Sequence, residues 1–193
     1  MRIIKIDDSL LAYVYSDIFK KYSGHSIPEE YFLKAKTYAL ITNKSEIVAG
    51  YSFQNYPFHK RIIHQIPWPS GWGQMGQMLE LKYKSVEISG FFIKKGINPT
   101  RILIHLMINA LTFWEDKFIY SYDVSNKHLE NLYKKGNPNR IYSGKMQYIE
   151  DLTTDHIENV EILSKIGVCK IALNIIVRKF LNGFSFKKKI RSK

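Results

Sequence analysis

Apolar and polar residues alternate along this chain with two different periods, and the switches between them mark its elements. Arg2–Ile6 is a short apolar run that reads as a strand. Asp8 and Ser9 offer N-caps for a helix from about Leu10 to Lys21. Its apolar positions Leu10, Leu11, Val14, Tyr15, Ile18 and Phe19 recur three and four apart, and Gly24 ends it. Ser26-Ile27-Pro28-Glu29-Glu30 has the form of a second helix start. β-Branched and aromatic stretches at Thr37–Thr42 and Ile47–Phe53, separated by Asn43-Lys44-Ser45-Glu46, predict a hairpin. From Tyr56 to about Met78 prolines and glycines break both periods, which predicts a long loop kept apolar by Trp68, Trp72, Met75 and Met78. Leu81–Ile93 predicts a strand, Lys94–Asn98 a turn, and Ile102–Trp114 a strongly apolar helix buried on most sides. Phe118–Val124 reads as a strand, followed by a short helix over Lys127–Lys135 that Ser125 or Asn126 caps and Gly136 and Pro138 end. Ile141-Tyr142 and Lys145–Ile149 predict a small hairpin about Ser143-Gly144. Thr153 or Thr154 then starts a helix to about Ile166, and Val168–Leu181 predicts a final one.

This order, β-α-α-β-β-loop-β-α-β-α-β, belongs to the α/β class: a mixed sheet with helices on its faces. The β-α-β unit at Ser85–Val124 requires two parallel neighbours joined by a right-handed crossover. The chain has 193 residues, 45% apolar and 14% aromatic, which suits one folded domain and excludes general disorder. Residues 1–150 are expected to form the domain and residues 151–193 a helical extension with a basic tail. The single cysteine, Cys169, excludes an intrachain disulfide and thiolate-rich metal sites, and its place on an apolar helix reads as inert core. Neither an H-E-x-x-H-like spacing nor a nucleophilic serine elbow occurs, so no metal is expected. The acids in MRIIKIDDSL argue against a secretory signal, and the setting is expected to be cytoplasmic, or peripheral to a membrane.

Charge sharpens the picture at one end. The formal net charge is +12. Residues 163–193 hold nine Lys and Arg and no acid, so the remaining residues carry only +3 (12 − 9). Such an end suits nucleic acid, an anionic membrane or an acidic carrier protein, and equally a solvated surface.

The most specific segment is Asp123-Val124-Ser125-Asn126-Lys127-His128-Leu129-Glu130-Asn131-Leu132-Tyr133-Lys134-Lys135-Gly136. A strand ends, an Asn caps a short helix, a Tyr follows two turns along the same face, and Gly136 stops the helix. This pattern resembles the strand–Asn–helix–LYxxxG signature of the GNAT superfamily of acyl-CoA-dependent N-acyltransferases, and the preceding order of elements resembles that fold over roughly residues 1–149. The resemblance implies that the fourth and fifth strands splay, with acyl-CoA or acetyl-CoA in the V between them. Phe91, Phe92 and Ile93 would then offer backbone to the pantetheine arm, Asn126 would sit beside it, and Tyr133 would protonate the leaving thiolate. Glu87, on the same strand, would deprotonate the amine acceptor directly or through water. Burial among apolar neighbours would raise its pKa, which suits a base. His59 and His64 are alternative bases.

The glycine-rich pyrophosphate loop that the resemblance implies is degraded. At its place stands Lys95-Gly96-Ile97-Asn98-Pro99-Thr100, followed by Arg101, with Asn98 and Thr100 at the glycine positions. The helix N-terminus and the flanking charges still suit phosphate. The departure also fits a donor presented by an acidic acyl carrier protein, or a site that has lost CoA. The apolar 56–78 loop would line a channel for an acyl chain or pack as a lid. The expected function is transfer of an acyl group from a thioester to an amine. The alternative is a non-catalytic module of the same fold that uses its basic tail on nucleic acid or membrane. Acceptor, acyl length and oligomeric state are left open.

Overall fold

The computed structural model describes residues 1–55, 61–68, 72–146 and 157–190. Seven strands form one sheet in the order β1-β2-β3-β4-β5-β7-β6. β1 (Arg2–Lys5), β2 (Lys36–Ile41), β3 (Ile47–Gln54) and β4 (Ser85–Ile93) are mutually antiparallel. β4 and β5 (Lys117–Asp123) are the parallel pair, joined by the crossover helix α5 (Thr100–Thr112). β6 (Asn139–Lys145) and β7 (Ile157–Ser164) complete the sheet antiparallel, with β7 between β5 and β6.

The N-terminal helices match their sequence signals. The Asp8 carboxylate accepts from the Leu11 amide to cap α1 (Ser9–Ser23), and Pro28 precedes α2 (Glu29–Lys34). Both helices pack through Tyr15, Phe19, Ile27 and Phe32 on one sheet face. The other face is covered by α5 and by α7 (Lys165–Ile190), whose Ile102, Leu103, Leu106, Val168, Ile171 and Ala172 share a cluster with Tyr51, Phe53, Phe118 and Tyr120.

Three expectations are corrected. Residues 72–84 are helix α4, so the strand begins at Ser85 and not at Leu81; α3 (Arg61–Gln65) precedes it. The run QMLELKYK consists of unbranched or strong helix formers apart from its tyrosine, and Leu81 turns into a third apolar cluster with Ile62, Ile63, Ile119 and Val160. The helix expected over Thr153–Ile166 is, from Ile157 to Ser164, a strand. Its Glu158 and Glu161 are buried. Glu161 accepts hydrogen bonds from Tyr120, Tyr122 and Arg140, so tertiary pairing overrides the local preference. Finally, the hairpin placed about Ser143-Gly144 is one continuous strand, β6, paired with β7; the rest of its expected second arm, residues 147–149, lies outside the described residues. β7 is thus an integral strand of the sheet drawn from the segment after residue 151.

Candidate functional site

The sheet opens along one seam. β4 and β5 pair at Ser85↔Lys117, Val86↔Phe118 and Glu87↔Ile119, and there the pairing stops. Beyond it β4 stays with β3 as far as Ile93, and β5 stays with β7 as far as Asp123. The two halves of the sheet therefore part, and a cavity of about 910 Å³ fills the gap. Phe91, Phe92 and Ile93 line one side, and Tyr120 to Asp123 the other.

Gly90 sets the curvature. The register with β3 slips between Ser52↔Ser89 and Gly50↔Phe92, so β4 carries a bulge at Gly90-Phe91. Gly90 has φ +62°, and a Cβ there would lie 2.7 Å from the Phe32 ring. The Tyr15 hydroxyl donates to the Gly90 carbonyl at 2.8 Å and braces the bulge from the α1 side. The β4 edge facing β5 is thereby turned toward the cavity with no strand partner, and unpaired backbone groups of this kind call for a ligand or water.

On the β5 side, Asn126 caps α6 (Lys127–Tyr133) by accepting from the Leu129 amide at 3.1 Å. The helix carries Leu129, Leu132 and Tyr133 to the cavity wall. Gly136 follows in a 3-10 turn pressed onto α7; a Cβ there would meet Leu163, Ile171 and the Gly167 carbonyl within 3.0 Å. Gly136 is thus required by close packing at the end of the helix that carries Tyr133. The Tyr133 ring lies 4.5 Å from Tyr120 and 5.2 Å from Tyr122, centroid to centroid. Tyr120 and Tyr122 donate to the two oxygens of Glu161 at 2.7 and 2.9 Å, and Arg140 neutralises that carboxylate at 2.9 Å. Burial, then the neighbouring Tyr122 and Glu161, push the Tyr133 phenol up to about 12, so it is a proton donor at neutral pH.

Glu87 is fully buried and does not itself line the cavity. One of its oxygens accepts from the Tyr31 hydroxyl at 2.8 Å and the other from the Ile62 amide at 2.9 Å. Tyr31 in turn accepts from the Ser89 hydroxyl at 2.7 Å, and Ser89 does line the cavity. Burial first, and the Glu87 charge second, hold Tyr31 well above the ordinary phenol range, so it stays protonated. Each hydroxyl in this chain points its proton toward the carboxylate. Arg61 also reaches the cavity, and its buried Nε has no hydrogen-bond partner among the described residues.

The structure does not gather the expected phosphate loop at this cavity; of residues 95–101 only Pro99 lines it. Asn98 spends its side chain on the amide and hydroxyl of Thr100, at 3.0 and 2.8 Å. The Arg101 guanidinium donates to the Met1 carbonyl, and Lys94 pairs with Glu46 at 2.6 Å. Asn98, Thr100 and Arg101 border a separate hollow of about 550 Å³. Lys95 and Gly96 form the turn after β4, with Gly96 at φ +87°. The Arg and Lys residues that line the main cavity are instead Arg61 and, from α7, Arg178 and Lys179.

Other candidates also fall away from the cavity. Trp68 donates to the Ile63 carbonyl at 2.8 Å, and both Trp68 and Met78 pack against the third apolar cluster. Met75 is exposed, and the Trp72 side chain and His59 lie outside the described residues. His64 sits exposed on α3. Cys169 is half-buried, and burial pushes its thiol up, away from reactivity. Among the described residues no cluster could hold a metal ion, and no helix is long and apolar enough to cross a membrane. Sequence reasoning missed Tyr31, Arg61, Arg140 and Glu161, which reach the site only through tertiary contacts. The glycine inside the β4 pattern was the one local sign of a bulge.

No protein-family model matches the sequence, and no curated protein matches it. Solved structures do match in fold. The ribosomal-protein-S18-alanine N-acetyltransferase from Escherichia coli aligns at TM-score 0.56 and 10% identity, covering 84% of this chain and 92% of its own. FeeM, an N-acyl amino acid synthase from uncultured soil microbes, aligns at 0.56 and 14%, covering 85% and 90%. A Bacillus subtilis acetyltransferase in complex with CoA aligns at 0.54 and 14%, covering 84% and 97%. The chain has the GNAT fold.

Proposed function

We propose that this GNAT-fold chain transfers an acyl group from a thioester to an amine in the cleft between β4 and β5. The observation that carries the reading is the parting of those two strands with Tyr133 at the opening. A donor thioester of the pantetheine kind, carried by CoA or by an acyl carrier protein, pairs with the free β4 edge at Phe91–Ile93. The acceptor nitrogen attacks the thioester carbonyl, and β4 amides steady the oxyanion. The nitrogen gives its proton to Ser89, whose own proton passes to Tyr31, and the Tyr31 proton passes to Glu87. The C–S bond then breaks, and the departing sulfur takes the Tyr133 proton.

Two features narrow the acceptor. Arg61 lines the cavity, as Ser89 does, and its guanidinium suits a carboxylate on the acceptor, as in an amino acid. FeeM, of the same fold, is an N-acyl amino acid synthase. Replacing Arg61 by Met is expected to raise KM for a carboxylate-bearing amine by about tenfold or more, the worth of one charge-assisted pair, and to leave KM for an uncharged amine unchanged. Steady-state kinetics with the two acceptors checks this.

The donor reading is tested by thermal unfolding with CoA, acetyl-CoA, a long-chain acyl-CoA and an acylated carrier protein. At a hundredfold excess over Kd, the true donor stabilises the native state by about 2.7 kcal/mol, a rise of roughly 5–10 °C for a chain of this size. No rise with any of the four would overturn the reading.

A further inference from the structure

Two helices on one side of the sheet leave an outward face that no part of the described chain covers. On α5 the exposed positions are Arg101, Ile104, Ile108, Leu111 and Thr112, and Trp114 stands just beyond its end. Ile104 is 42% exposed, Ile108 57%, Leu111 58% and Trp114 97%. Three and four residues separate the three aliphatics, so they form one stripe. α7 packs alongside α5 against the same core cluster, so the outward faces of the two helices adjoin. From Lys165 to Lys179, α7 exposes Ile166, Lys170, Leu173 and Val177 on one stripe; its Arg178 and Lys179, also exposed, lie farther around the helix toward the cavity. Ordinary amphipathic packing would place polar residues at these positions. Here the outward residues are aliphatic or cationic apart from Thr112, and neither helix contains an acid. Two acids lie at the Trp114 end: Asp116 pairs with Lys165 at 3.3 Å, and Glu115 accepts from Asn55 at 3.5 Å.

We infer that the α5–α7 face lies on the surface of an anionic lipid bilayer. Aliphatic side chains would enter the headgroup boundary, Trp114 would sit at that level, and Arg101 and Lys170 would meet lipid phosphates. Charge decides between this occupant and a second copy of the chain. A two-fold contact would press two acid-free cationic faces together. Nucleic acid would match the cations and leave the aliphatic stripe in water. A surface that is anionic outside and apolar beneath satisfies both halves of the pattern. Arg178 and Lys179 border the cavity on the other side of α7, so the outward face and the cavity are distinct surfaces.

The test is co-sedimentation of the full chain with vesicles of phosphatidylcholine alone and of phosphatidylcholine with about 30 mol% phosphatidylglycerol, at low and high salt. Binding is expected to the anionic vesicles only and to weaken with salt. Ile108→Glu with Leu111→Glu should abolish it, and Lys170→Gln should weaken it about fivefold. These positions are exposed and outside the acyl-transfer cleft, so circular dichroism and donor-induced thermal shift should be unchanged. Tryptophan emission should shift blue on vesicle addition, and Trp114→Phe should remove that shift. Three results would overturn the inference: no binding to anionic vesicles at low salt; binding that survives Ile108→Glu/Leu111→Glu; or sedimentation velocity showing a dimer that the same pair of substitutions dissolves, which would assign the face to a second copy.

Discussion

Replacing Tyr133 by Phe is expected to lower turnover by about two orders of magnitude, the usual worth of a positioned general acid, with donor affinity nearly unchanged. The phenol is held by its rings and by the backbone. Tyr120 and Tyr122 pack on it, and Gly136 locks the end of its helix against α7. Phenylalanine keeps that packing and loses only the proton. Because burial pushes the hydroxyl up to about 12, Tyr133 remains protonated throughout the assay range, and the wild-type rate should show no alkaline fall from its ionisation below that value. Single-turnover and steady-state rates beside a donor titration separate the two quantities. Equal losses in turnover and affinity would make Tyr133 a wall of the cleft and not its acid.

Tyr31→Phe should have an effect of comparable size on turnover by a different route. The hydroxyl is the middle link between Ser89, at the cavity, and Glu87, sealed behind it. Without it the acceptor proton cannot reach the carboxylate, and turnover with an aliphatic amine should fall about a hundredfold. Two further readouts distinguish a broken relay from a damaged fold. Raising the pH should recover rate, since solvent base can then take the proton from the nitrogen of the adduct. An acceptor of low basicity, whose adduct nitrogen is more acidic, should lose much less. Glu87 keeps its bond from the Ile62 amide but gives up a charge-assisted one, so stability should also drop, by about 1–3 kcal/mol. A variant equally slow with both amines and at every pH would refute the relay.

The parts of this molecule that were legible in its sequence are those in which local chemistry and final structure agree. The Asp8 and Asn126 caps, the β2–β3 hairpin and the α6 tyrosine carry their signals within a few residues. The strand β7 was not legible, because its Glu161 carboxylate is satisfied by partners far along the chain: Arg140 lies 21 residues from Glu161 and Tyr120 lies 41. α4 was hidden by the glycines and prolines around it, although its own residues favour helix. Glu87 was legible as a candidate by its place on the strand, but hydrogen bonds that hold it come from Tyr31 and Ile62, on separate elements. The phosphate loop shows the converse. A matching position on the chain did not put Lys95, Asn98, Thr100 or Arg101 on the cavity wall: Asn98 accepts from the amide and hydroxyl of Thr100, and Arg101 donates to the Met1 carbonyl. α5, expected to be buried on most sides, presents Ile104, Ile108 and Leu111 to the outside; apolar content alone does not say which face of a helix finds a partner.

The most direct measurement is a crystal structure of the chain with a non-reactive thioether analogue of the acyl donor. The sulfur should lie within about 3.5 Å of the Tyr133 hydroxyl, with the pantetheine arm paired to the backbone of Phe91–Ile93. An analogue bound elsewhere, or density showing β4 and β5 closed together beyond Glu87 and Ile119, would contradict the account.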